Sequence, residues 1–110
     1  MNSPEYLEAI MGLIMYGGEA KGFASQAIRA AKEGRIDEAE QLLQDAIASL
    51  NIAHKSQTGL LAKEAGGQTV EVTLLMVHGQ DHLMNALTFI DMAKEVVELY
   101  KRLAEQKNCG

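Results

Sequence analysis

The sequence predicts an all-α fold, an antiparallel up-down-up three-helix bundle, and three observations predict it. Apolar and small residues recur at alternating steps of four and three along three long stretches. Glycines close the first two of these stretches. No stretch of useful length alternates as a strand would, and no repeat of about 20–50 residues recurs.

Each element has its own justification. Ser3 and Pro4 read as N-cap and first helical position, where a missing N–H costs nothing. The stripe Tyr6, Ile10, Leu13, Gly17, Ala20, Ala24, Ala27, Ala31 follows and ends at the basic Lys32 and at Gly34. Asp37 with Glu40 reads as a capping box opening a second helix. Its stripe is Leu43, Ile47, Leu50, His54, Thr58, Leu61, Ala65, and Gly66-Gly67 stops it. A third start is placed near Thr69, with the stripe Val72, Met76, Gly79, Leu83, Ala86, Ile90, Ala93, Val97, Tyr100, Ala104. Glu105 to Gly110 is polar and is expected to fray. Helices of about 30 residues would each be about 45 Å long, and short connectors make neighbours antiparallel.

Composition narrows the function classes. A chain of 110 residues suits one domain spanning 1–110, with 47% hydrophobic and 23% charged residues. Ten Lys and Arg against fifteen Asp and Glu leave a net charge of -5, unsuited to gripping nucleic-acid phosphates. One cysteine, Cys109, cannot pair within the chain, which suits a reducing compartment. The opening MNSPEYLEAI is acidic where a secretory signal is basic, and apolar runs are far shorter than the roughly 20 residues of a membrane span. The expectation is a cytoplasmic, soluble domain.

The third helix has more apolar faces than two neighbours can cover. At about 100° per residue, Leu74, His78, Asp81, Asn85, Met92 and Leu99 project opposite to the Met76–Leu83–Ile90 face. Leu75, Phe89, Val96 and Leu103 fill one flank, and Val77 and Met84 the other. So continuous a stripe implies a second burial surface, either against copies of the same chain or against a partner's helix. Within it stand His78, Asp81 and His82, three and four residues apart on one surface. His78 and His82 have the spacing of zinc ligands, but Gly79 occupies the position where a helical metalloprotease carries its Glu. No Ser or Cys neighbours the pair, and the glycines form no phosphate-binding fingerprint. A histidine acting as nucleophile or ligand in an apolar groove remains, beside a purely structural histidine.

The segment Leu74-Leu75-Met76-Val77-His78-Gly79-Gln80-Asp81-His82-Leu83-Met84 resembles the phosphorylation-site segment of the lactose/cellobiose-type IIA components of the bacterial phosphoenolpyruvate-dependent sugar phosphotransferase system (PTS). Ala53-His54-Lys55 with Gln57-Thr58, Gly34-Arg35-Ile36-Asp37-Glu38-Ala39, Gly18-Glu19-Ala20-Lys21 and Glu98-Leu99-Tyr100 extend the resemblance over nearly the whole chain. Gly79 stands where the family usually has Ala, and Gly22 where Ser is common.

The resemblance implies a homotrimer of three-helix bundles and a phosphocarrier. The histidine-containing protein HPr would phosphorylate His78, which would pass the group to a cysteine of the cognate IIB subunit, and IIB to a β-disaccharide entering through IIC. Gln80 and His82 would donate hydrogen bonds to the phosphoryl oxygens. Gln80 lies about 160° around the helix from His78, so it would act from a neighbouring subunit. Apolar Leu74, Val77 and Met84 are expected to limit water at the site, and His78 to lie about two turns inside its helix, beyond the free N–H groups of the helix start. A neutral imidazole carries a nitrogen lone pair and attacks without a base. On a threefold axis three copies of Asp81 would converge and need a shared proton or a cation. One Mg²⁺ per trimer is the hard-ion candidate, a water-bridged protonated cluster the alternative. Two other functional classes show a histidine on a helical bundle: the phosphotransfer domain of a two-component relay and a structural metal-binding trimer. His54, Gln57 and Thr58 are expected to form a buried polar layer, and Gly17-Gly18 a close-packing spot or kink.

Overall fold

Ser3 and Pro4 open the first helix as their chemistry requires: the Ser3 side chain accepts a hydrogen bond from the Tyr6 N–H at 3.1 Å, with Pro4 the first helical residue. In the computed structural model, which describes residues 3–109, three helices follow one another: α1 (Pro4–Lys32), α2 (Ile36–Ala65) and α3 (Leu74–Cys109). No strand occurs among the described residues. The helices form a rod of 62 × 20 × 18 Å in which neighbours run antiparallel. Lys63 near the end of α2 meets Glu5 at the start of α1, and Lys101 on α3 meets Glu40 on α2.

Both connectors leave their helix by the same device. Gly34, at φ 84°, follows α1, and the N–H groups of Gly34 and Arg35 return to the carbonyls of Ala31 and Ala30. Gly67, at φ 94°, does the same after α2, with Gly67 and Gln68 bonding back to Glu64 and Lys63. These are paired C-terminal caps that satisfy orphan carbonyls and need a left-handed residue, which glycine supplies without strain.

Every residue of the α1 stripe is buried, and so is the α3 stripe from Met76 to Val97, with Tyr100 and Ala104 half-buried. Four expectations are corrected. First, α2 begins at Ile36 with Arg35 as its cap residue and no side-chain capping bond. Glu40 instead pairs with Lys101, so the capping box is not made. Second, the buried face of α2 is Ala39, Leu43, Ala46, Ser49, Ala53 and Leu60, turned about one residue from the expected stripe. His54, Thr58, Leu61 and Ala65 are exposed. Third, α3 begins at Leu74, not near Thr69, and Val72 lies exposed in the connector. Fourth, α3 stays helical through Cys109 rather than fraying from Glu105. The Cys109 side chain and Gly110 lie outside the described residues.

Candidate functional site

The site is set by how α3 starts. Thr73 serves as its cap: its side chain accepts from the Met76 N–H at 3.1 Å and its carbonyl from the Val77 N–H at 3.0 Å. Tyr6 on α1 donates its hydroxyl to the Glu71 carbonyl, tying the connector to the start of the bundle. His78 is therefore the fifth residue of α3, about one turn inside it rather than two.

Two glycines bring α3 close to α1. A Cβ on Gly79 would stand 3.3 Å from Leu13 Cβ, and one on Gly17 would stand 3.2 Å from the backbone carbon and oxygen of His82. Gly17 is thus the close-packing spot the sequence suggested; Gly18 is exposed and faces open space. With Gly79 pressed inward, His78 points outward and is exposed, while His82 is half-buried. The two imidazoles meet edge to face, ring centroids 4.5 Å apart at 88°. Their Nε2 atoms are 3.2 Å apart, so one ring donates and the other accepts.

Gln80 faces α2. Its carbonyl oxygen accepts from the side-chain amide of Gln57 at 2.7 Å, and its own amide nitrogen approaches the Met76 sulfur at 3.8 Å. Asp81 is exposed on the same side as His78, and its Oδ1 accepts from the Asn85 amide at 2.9 Å. Among the described residues no group of three or more His, Cys, Asp and Glu side chains is placed to hold a metal ion. An apolar groove of about 260 Å³ runs beside the histidine turn, lined by Leu60, Leu61, Val70, Val72, Met76 and Val77, with Glu64 and Gln80 as its polar members.

Of the residues expected at the site, the fold brings His78 and His82 into contact, holds Gln80 on the opposite side of the helix, and sets Asp81 one turn along from His78. The expected polar layer of α2 is reduced to one member. His54 and Thr58 are exposed, Thr58 spending its hydroxyl on the His54 carbonyl at 2.9 Å, and Gln57 alone reaches α3. Leu74, Val77 and Met84 do not shield His78 within one chain, since all three are exposed. The Gln57–Gln80 bond and the tether from Tyr6 escaped the sequence reading. Both join residues far apart in the chain, and only the position of Gln57 beside the α2 stripe hinted at the first.

A bundle whose histidine pair lies on its surface suits passing a small group between proteins more than enclosing a small substrate. The comparisons agree. The family described as "PTS system, Lactose/Cellobiose specific IIA subunit" matches residues 8–101. The lichenan-specific phosphotransferase enzyme IIA component of Bacillus subtilis (strain 168) is 50% identical over 106 residues, 96% of each chain. The crystal structure of the PTS cellobiose-specific enzyme IIA from Bacillus anthracis superposes with a TM-score of 0.90 at 38% identity, covering 96% of this chain and 95% of that one. The IIA(chitobiose) of Escherichia coli, solved in complex with HPr, has a TM-score of 0.79 at 34% identity, covering 93% and 99%. The chain belongs to the lactose/cellobiose-specific IIA family of the sugar phosphotransferase system. It is accordingly a phosphotransferase component, a carrier of phosphoryl groups.

Proposed function

We propose that His78 Nε2 accepts a phosphoryl group from phosphorylated HPr and passes it to a cysteine thiolate of a cognate IIB subunit, for β-disaccharide uptake through IIC in the cytoplasm. The observation that carries the reading is the His78–His82 contact: an exposed imidazole whose Nε2 stands 3.2 Å from a second Nε2. With His82 as donor, His78 has its lone pair on Nε2. On transfer that pair forms the new N–P bond, and the N–P bond of phosphorylated HPr breaks with its pair returning to the HPr imidazole. His78 and the HPr imidazole each keep the proton on their other nitrogen, and His82 keeps its Nε2 proton. In the onward step the thiolate forms an S–P bond and the N–P pair returns to His78. The transition state is loose, so the protein's work is alignment and charge stabilisation. The His82 N–H that rested on the lone pair is then placed to donate to a phosphoryl oxygen. Gln80 supplies a second donor from a neighbouring copy. The positive end of α3, about one turn away, contributes about 0.3–1 kcal/mol toward an anion there.

Support for HPr as the donor is the E. coli relative, whose structure is a complex with it. The sugars named for the three relatives differ, as suits a chain that hands its cargo to IIB and never meets the sugar. Incubation with phosphoenolpyruvate, Enzyme I and HPr, followed by intact mass measured without acid, tests the carrier role. One phosphoryl group per chain is expected, and none on His78→Ala; a phosphorylated His78→Ala, or no gain while HPr is phosphorylated, refutes it.

The same reading includes a homotrimer packed through α3. Leu74, Met92 and Leu99 are 87%, 60% and 57% exposed in the single chain, a stripe that three copies would bury about a common axis. Asp81 lies on that side and offers one hard oxygen ligand per chain, so a divalent cation such as Mg²⁺ fits only where three copies bring Asp81 together. Its role would be to neutralise the converging carboxylates. Asp81→Leu removes them and is expected to keep or strengthen the trimer; loss of assembly by light scattering rules out the axial placement.

A further inference from the structure

We infer that Gln57 is a positioning residue for phosphoryl transfer: by holding the carbonyl of Gln80, it turns the Gln80 NH₂ group toward the phosphoryl oxygens. The inference rests on the reading of Gln80 given above and extends it to a residue on another helix.

A glutamine amide has two ends of opposite character, an acceptor oxygen and a donor nitrogen. Against a phosphoryl group, whose oxygens carry the charge of a loose transition state, only the nitrogen end attracts. A glutamine free to turn presents the wrong end part of the time. In this fold it is not free. The Gln57 amide nitrogen lies 2.7 Å from the Gln80 oxygen, a short and well-formed donation across the α2–α3 interface. The Gln80 nitrogen meets the Met76 sulfur at 3.8 Å, a weak acceptor that leaves its donors nearly unspent. Both glutamines are half-buried, so water competes less for either end. The arrangement commits the acceptor and reserves the donors. No proton moves through it. The N–P bonds exchange at His78 as described, while Gln80 donates to oxygens that stay on phosphorus throughout.

Gln57 touches neither the phosphoryl group nor His78 in this account, so its effect must pass through Gln80. The test measures single-turnover phosphorylation of the full-length assembled protein by phosphorylated HPr, over a range of HPr concentrations. The variants are Gln57→Met, Gln80→Met, the double variant, and Gln57→Glu, whose side chain can only accept and so draws the Gln80 nitrogen instead. Gln57→Met is expected to lower the maximal rate about tenfold with the half-saturating HPr concentration unchanged. That is less than the roughly hundredfold typical of deleting a charge-stabilising donor outright. Gln57→Glu is expected to be slower still. In the Gln80→Met background, Gln57→Met is expected to add nothing, since coupled residues do not add. Normal maximal rates in Gln57→Met and Gln57→Glu, with Gln80→Met slow, overturn the inference and leave the role of Gln80 standing. An equal loss from Gln57→Met in both backgrounds shows a purely structural part and overturns it too. A normal rate in Gln80→Met overturns the reading of Gln80, and the inference with it.

Discussion

The two ends of the bundle are closed by different means. Where the late turns of α1 meet the early turns of α2 and the middle of α3, the core is mostly alanine: Ala20, Ala24, Ala27, Ala30, Ala31, Ala39, Ala46, Ala86 and Ala93, with Leu43, Ile90 and Val97. At the other end the core is Tyr6, Ile10, Leu13, Leu60, Met76 and Leu83, with Ala53 the small member. Alanine faces let helices approach along several turns and leave little side chain to rearrange. Large side chains hold helices apart unless something smaller intervenes, and here Gly17 and Gly79 do so. The histidines ride on those glycine contacts, so the site belongs to the end whose packing depends on individual residues.

That contrast can be broken by substitution. Leu83 is buried to within 1% of its surface beside His82, and Leu83→Ala is expected to cost about 2–5 kcal/mol, read as a fall in urea midpoint at fixed protein concentration. It should also slow phosphorylation by HPr. Ala24→Leu forces a large side chain into the alanine end and is expected to cost about 1–3 kcal/mol, yet to leave the phosphorylation rate of the folded protein unchanged. Equal loss of rate in both variants would erase the distinction between the ends.

A finer comparison sets the two glycines against each other. Gly17→Ala drives a methyl group against the backbone of His82, which cannot yield without moving the helix, so both stability and phosphorylation rate should fall. Gly79→Ala meets the Leu13 side chain at 3.3 Å, and gains about 1 kcal/mol of helix propensity in return. Its urea midpoint is expected to stay close to that of the original. The smallest effect concerns Lys101 on α3, whose hydrogen bond with Glu40 raises its pKa. A raised lysine pKa contributes stability below the ordinary value near pH 10, lost as pH rises through the higher folded value. Glu40→Gln should therefore leave the thermal midpoint nearly unchanged at neutral pH, and remove the extra alkaline loss above pH about 10.

Much of this was readable from residues near one another in the chain. Ser3-Pro4, Gly34 and Gly66-Gly67 marked helix ends because capping is settled within a few residues. The stripe of α1 had one clear apolar phase, the core stripe of α3 kept its spacing from Met76 to Val97 despite a second apolar face, and the pairing of His78 with His82 followed from a spacing of four. The second helix misled because Ile47, Leu50 and Leu61 drew the eye to large side chains. Beside Leu43 and Leu60, its inner face is made of Ala39, Ala46, Ser49 and Ala53, whose small side chains signal little by themselves. Asp37 and Glu40 misled similarly, since Glu40 had a better partner on α3.

The sequence by itself therefore determined the three helices, most of their boundaries, two of their three inner faces and the histidine pair, all consequences of short-range periodicity and capping. The rotation of α2, the approach of α3 at Gly17 and Gly79, and the orientation of the Gln80 amide were decided only in the tertiary structure. Each depends on what a neighbouring helix presents. An alanine face becomes a core when another alanine face meets it, and an amide acquires a direction when a donor stands opposite its oxygen.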